Sequence, residues 1–134
     1  MKQTNTTLVM MLSAIFLAAI GISLTFFPNE IAGLTGITPS KTLQLIFQIL
    51  GALFFAFAML NWMAKGAIIG GIYNKPVSVS NLAHFVIGAL ALVKAVLSDH
   101  TLPYGIWILA GIYSVFAVLF AIIFSQHPVM DKKD

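Results

Sequence analysis

The sequence predicts an all-α integral membrane protein, a bundle of four transmembrane helices with both termini in the cytoplasm, and three observations predict it. Four apolar runs, at about residues 8–27, 43–63, 82–97 and 103–124, fill the 134-residue chain. A spanning helix needs about 20 mostly apolar residues at 1.5 Å rise each. Hydrophobic residues make up 60% of the chain and charged residues 8%, with mean hydropathy +0.99. A soluble domain carries about 25% charged residues, so this chain cannot cover its surface in water. The third observation is the uneven placement of the lysines around the four runs. Residues 1–134 read as a single four-pass domain.

The first run follows Met1-Lys2-Gln3-Thr4-Asn5-Thr6-Thr7, a start like that of a signal peptide. It exceeds the 7–15 residues of a cleavable apolar region, and no A-x-A site closes it, so an uncleaved first span is expected. Pro28 closes that span, because it lacks a backbone donor and disfavours helix before it. In the loop that follows, Ile31, Leu34 and Ile37 recur every third residue, which suggests a short turn lying on the membrane surface. Thr38-Pro39 is expected to cap and open the second span. The loop 65–76 is apolar yet broken by Gly66, Gly70 and Gly71. It extends the second helix to a bend at Gly66 or dips into the interface, and its glycines lack the phosphate-binding spacing. Ser78 or Ser80 is expected to cap the third span, and Thr101 with Pro103 to open the fourth.

The seven basic residues are all lysine. With four crossings Lys2, Lys65, Lys75, Lys132 and Lys133 fall on one side and Lys41 on the other, with Glu30 and Asp99. Positive charge favours the cytoplasmic side, hence the expected orientation. Phe26, Phe27, Tyr104 and Trp107 mark the outer edge, Trp62 and Tyr73 the inner one. Scattered lysines without arginine argue against nucleic acid as a partner and fit a lipid bilayer. The chain has no cysteine, which excludes disulfides, thiolate metal sites and thiol relays.

Stripes of small or polar residues predict how the helices meet, since close backbone approach favours packing in lipid. They are Met10, Ala14, Leu17 and Gly21; Gln44, Gln48, Gly51, Phe55, Ala58 and Trp62; Asn81, His84, Gly88, Ala91 and Ala95; and Ala110, Ser114, Ala117 and Ala121.

Few groups carry chemistry. Lys94 lies inside the third span on the face of Ala83, Ile87 and Leu90. It either snorkels to the interface or meets Gln48, Glu30 or Asp99. His84 lies on the stripe near the cytoplasmic end, one turn above Asn81 and close in depth to Asn61, Lys65 and Tyr73. It either bonds across helices or, with those residues, binds the headgroup of a lipid or quinone, Lys65 supplying the countercharge. No carboxylate lies in the spans to complete a metal site or exchange protons, and no catalytic constellation is legible, so neither an enzyme nor a cofactor is expected.

The runs Asn61-Trp62-x-x-Lys65-Gly66, Gly70-Gly71-Ile72-Tyr73-x-Lys75-Pro76 and Asn81-x-x-His84-Phe85-x-x-Gly88-Ala89, together with Phe26-Phe27-Pro28, carry a resemblance. The layout resembles the DoxX-like group of small uncharacterised bacterial four-helix membrane proteins. The resemblance implies an inner-membrane protein, and an accessory role near quinone or redox enzymes. It assigns no catalytic residue. The leading expectation is a non-enzymatic accessory or assembly subunit, with a membrane-protein partner or a second copy. The rivals are the headgroup binder and a small carrier or channel through the bundle interior.

Overall fold

Five helices account for the computed structural model, which describes residues 3–67 and 74–125, with side chains from Asn5 onward. They are α1 (Gln3–Phe26), α2 (Pro28–Leu34), α3 (Lys41–Ala64), α4 (Lys75–Ser98) and α5 (Tyr104–Ser125). All but α2 are long and apolar enough to cross a membrane. At 1.5 Å per residue a 24-residue helix such as α3 or α4 is about 36 Å long, more than the ~30 Å hydrocarbon core. The protein is a multi-pass helical membrane protein, and no strand occurs among the described residues.

Pro28 ends α1 as expected and occupies the first turn of α2. The surface turn is a seven-residue helix that buries Ala32 and leaves Leu34 and Ile37 exposed. It closes in a Schellman motif. The Ile37 N–H donates to Ala32 O (3.0 Å), that of Gly36 donates to Gly33 O (3.1 Å), and Gly36 takes the left-handed φ of 75° that glycine adopts without a side-chain clash.

The helix caps differ from those expected. Ser40, not Thr38, caps α3: its backbone is extended and its Oγ accepts from Leu43 N at 3.1 Å. Pro39 therefore precedes the cap. The fourth span, α5, begins at Tyr104, and Thr101 points its hydroxyl back to Asp99 Oδ1 (2.6 Å) instead of capping it. The Thr101 side-chain and backbone bonds hold the Asp99 carboxyl below its ordinary range. The third span starts at Lys75, about two turns before residue 82. Pro76 sits in its first turn, where proline is tolerated, so Ser78 and Ser80 lie inside the helix and cap nothing. At the end of α3 the chain turns at residues 65–67, the Ala67 N–H reaching Ala64 O at 2.9 Å. Gly70, Gly71 and Tyr73 lie outside the described residues, as do the lysines at 2, 132 and 133.

The bundle is built from two close pairs, α1 with α3 and α4 with α5, with sparser backbone approach between the pairs. The α1 stripe of Met10, Ala14, Leu17 and Gly21 is buried as expected. Its Gly21 meets Gly51 of α3 so closely that a Cβ on Gly21 would stand 2.8 Å from Gly51 O and Phe55 N. Elsewhere the stripes shift. Phe55 and Trp62 face outward, and Phe54, Ala58 and Asn61 continue the α3 contact from Gly51. On α4 the buried face runs through Ser78, Asn81, Phe85, Ala89 and Val96, while Ala91 and Ala95 are exposed. On α5 it is Ala110, Tyr113, Phe116, Phe120 and Ile123; Ala121 is exposed. The physical reason is that α4 and α5 pack rings into the space left by small residues. Phe85 stacks on Phe116 and Phe120 with centroids 4.9 and 5.4 Å apart, and the Tyr113 ring lies over Gly88.

Candidate functional site

The polar side chains inside the bundle form two layers. The first joins three helices: Asn61 at the end of α3, Asn81 two turns into α4, and Ser13 of α1. Asn61 Nδ2 donates to Asn81 Oδ1 and Asn81 Nδ2 to Asn61 Oδ1, each at 2.7 Å. The remaining amide hydrogens go to Ser13 Oγ (2.9 Å) and Val77 O (2.9 Å), and the Ser13 hydroxyl donates to Met10 O at 3.0 Å. Asn61, Asn81 and Ser13 are fully buried, and every hydrogen of the network is used within the protein. An unpaired amide in hydrocarbon costs several kcal/mol on an order-of-magnitude basis, so closing the network fixes how the two helix pairs register.

The second layer is centred on His84, one turn further along α4. Its Nε2 lies 3.1 Å from the Tyr113 hydroxyl of α5. The imidazole stacks on Phe57 (centroids 5.1 Å, 25°) and takes Phe54 on its edge (5.4 Å, 82°). Beside it, where α3 and α4 approach each other only sparsely, lies a groove of ≈ 550 Å³. Phe54 and Phe57 form one wall, and Ser80, Ala83, His84 and Ile87 the other, with Gly88 and Tyr113 completing it. Starting α4 at Lys75 also moves His84 inward. It lies about 14 Å along the helix from Lys75, still nearer that end of α4 than the other.

The residues singled out from the sequence therefore separate. Asn61 and Asn81 belong to the closed network, and of the described residues of the group only His84 lines the groove. Lys65 follows the last residue of α3, its Nζ 3.2 Å from the centroid of the Trp62 ring, a cation–π contact, and it does not line the groove. Tyr73 lies outside the described residues. Lys94 is exposed on the face of Ala83, Ile87 and Leu90, as helical spacing placed it. It forms no hydrogen bond or ion pair with another described residue, so the contacts with Gln48, Glu30 or Asp99 are not made there. Gln48 is half-buried on α3, away from the groove.

Ser13, Ser80, Tyr113, Phe54 and Phe57 were not recognised as site residues from sequence. Tyr113 had a signal: with Phe116 and Phe120 it repeats at i, i+3 and i+7, one helical face of rings. Among the described residues no group of three or more His, Cys, Asp or Glu side chains is placed to hold a metal.

Fold and site together define a four-span helical membrane protein with an aromatic-walled, histidine-bearing groove among its described residues. No protein-family model matches the chain, and no curated protein or solved structure is significantly similar to it.

Proposed function

We propose that this protein is a non-enzymatic membrane component that holds the polar end of a lipid-soluble molecule in the groove beside His84. The observation that carries this reading is the contrast between the two polar layers. The Asn61–Asn81–Ser13 network uses all its hydrogens internally, whereas half-exposed His84 lines an open groove of ≈ 550 Å³ with aromatic walls. A concave, mostly apolar site with a few convergent polar groups is the usual form of a small-molecule site. The groove lies about 14 Å from the start of α4, a depth that a membrane-dissolved compound reaches from the side. Gln48 is not among its walls, which favours a one-ended binder over a carrier running through the bundle.

The DoxX-like resemblance supplies a setting for this reading: an accessory subunit of a bacterial inner membrane, beside quinone or redox enzymes, with a lipid or a quinone as the bound molecule. Native mass spectrometry from lipid nanodiscs tests it. A co-purified mass is expected with the wild-type chain and is expected to be lost in Ala83→Phe, which fills the groove from an exposed position. A wild-type chain with nothing bound, or an unchanged mass in Ala83→Phe, would leave the groove without its occupant and overturn the reading.

A further inference from the structure

We infer that the groove selects a neutral hydrogen-bond acceptor, a carbonyl oxygen on a membrane-dissolved molecule, because Tyr113 locks His84 in the tautomer that presents Nδ1–H; this rests on the groove being a binding site. Tyr113 is buried, and its hydroxyl carries one hydrogen. Among the described residues the acceptor within reach is His84 Nε2, at 3.1 Å. Leaving a buried donor unmade costs about 1–3 kcal/mol, so the phenol donates and Nε2 accepts. A neutral imidazole has one proton, which then resides on Nδ1.

Aromatic rings pack against the imidazole in this arrangement. Phe57 stacks on the imidazole, and Phe54 and Phe85 meet it T-shaped at centroid distances of 5.4 and 5.0 Å. On the other side Gly88 makes the space for Tyr113, since a Cβ there would come 2.6 Å from the ring's Cδ1. Tyr113 is thus a positioning residue, acting through His84.

The Nδ1 nitrogen has no hydrogen-bond partner among the described residues, and neither has the Ser80 hydroxyl, one turn away at i−4 on the same helix face. Both residues line the open, aromatic-walled groove, where no charged side chain is among the walls. A cation finds no countercharge there, and an anion would lose its hydration without a paired positive charge. A carbonyl oxygen satisfies Nδ1–H and the Ser80 hydroxyl together, while its apolar body stacks on Phe54 and Phe57. The ring carbonyl of a quinone and the ester carbonyl of a glycerolipid share this chemistry.

Histidine-selective ¹⁵N NMR of the full chain in nanodiscs tests the lock, with His84 assigned through His84→Gln. The expected spectrum has Nδ1 protonated and Nε2 bare, and Tyr113→Phe is expected to return the proton to Nε2 in part or whole. Wild-type His84 protonated on Nε2 would overturn the inference. Carbonyl-¹³C decylubiquinone and ester-¹³C dioleoylglycerol are then added in separate samples. A response of both the His84 Nδ1 signal and the probe's carbonyl identifies which source fits. Ser80→Ala is expected to weaken that probe about 3–10-fold, the net worth of one hydrogen bond. If a mass occupies the groove by native mass spectrometry yet neither carbonyl probe moves His84, acceptor selectivity fails while the binding reading stands. If Ala83→Phe displaces nothing, the binding reading itself fails.

Discussion

At the scale of single residues, hydrogen bonds inside a membrane matter mainly through what their loss leaves behind. Asn61 and Asn81 each give one amide hydrogen and one carbonyl oxygen to the other, so truncating either strands both groups of its partner. Asn81→Leu keeps the volume and is expected to destabilise the bundle by about 1–3 kcal/mol. Interhelical hydrogen bonds in membranes have a smaller intrinsic worth, about 0.6 kcal/mol on average. The double substitution Asn61→Leu with Asn81→Leu should therefore cost less than the sum of the single ones, since no orphan amide remains. Reversible unfolding in mixed micelles measures the cycle, and strictly additive losses would mean that the two amides are not coupled. The sequence singled out Asn61 and Asn81 only as ligand-binding candidates beside His84, and of the two it placed Asn81 alone on a packing stripe. It did not reveal Ser13, since a serine in a span commonly bonds its own helix, as Ser13 does with Met10 O while also receiving Asn61.

At the scale of helices, the two pairs pack by different means, and this decides which stripes the sequence made legible. The α1–α3 contact is backbone against backbone, so the small-residue rule located Gly21 and Gly51 correctly. The α4–α5 contact is ring into gap. The rule follows small residues on both helices, whereas the rings of Tyr113, Phe116 and Phe120 occupy the face that α4 leaves open. That shifts the buried face of α4 by one position, about 100° around the helix, from Gly88 and Ala95 to Ala89 and Val96. The same distinction orders the glycine substitutions. Gly21→Ala would set a Cβ 2.8 Å from backbone atoms of α3, which cannot rotate away, so the helices must separate. A loss of about 1–3 kcal/mol is expected, in the range for overpacking. Gly111→Ala, with nothing within 4 Å, should change stability by less than about 0.5 kcal/mol. Thermal unfolding of both variants in one detergent checks the contrast, and equal effects would sink the close-crossing account.

At the scale of the whole molecule, the four long helices were legible because 20-residue apolar runs have few other uses, and the span starts were less so. Val77, Val79 and Leu82 alternate with polar Ser78, Ser80 and Asn81, so hydropathy alone does not separate the first turns of α4 from a loop. The direction of the bundle rests on charge, and here a sharp measurement is available. Lys65 and Lys75 flank one end, where Lys65 rests on the Trp62 ring and Lys75 Nζ lies 5.9 Å from the Phe124 ring centroid, while Lys41 opens α3 at the other end. With Lys2, Lys132 and Lys133 counted by parity of crossings, the lysine-rich end is proposed to be cytoplasmic. Because the chain has no cysteine, Lys41→Cys and Lys75→Cys each carry a single thiol, at exposed positions. A membrane-impermeant maleimide should label position 41 in intact cells and position 75 only after permeabilisation. The reverse pattern would invert the bundle and put the His84 groove nearer the outer surface. Labelling of both positions from one side would be more damaging, since α3 alone separates Lys41 from Lys65. It would then require either that α3 fails to cross or that residues 65–75 traverse the bilayer, and a stretch of that length is too short to do so as a helix.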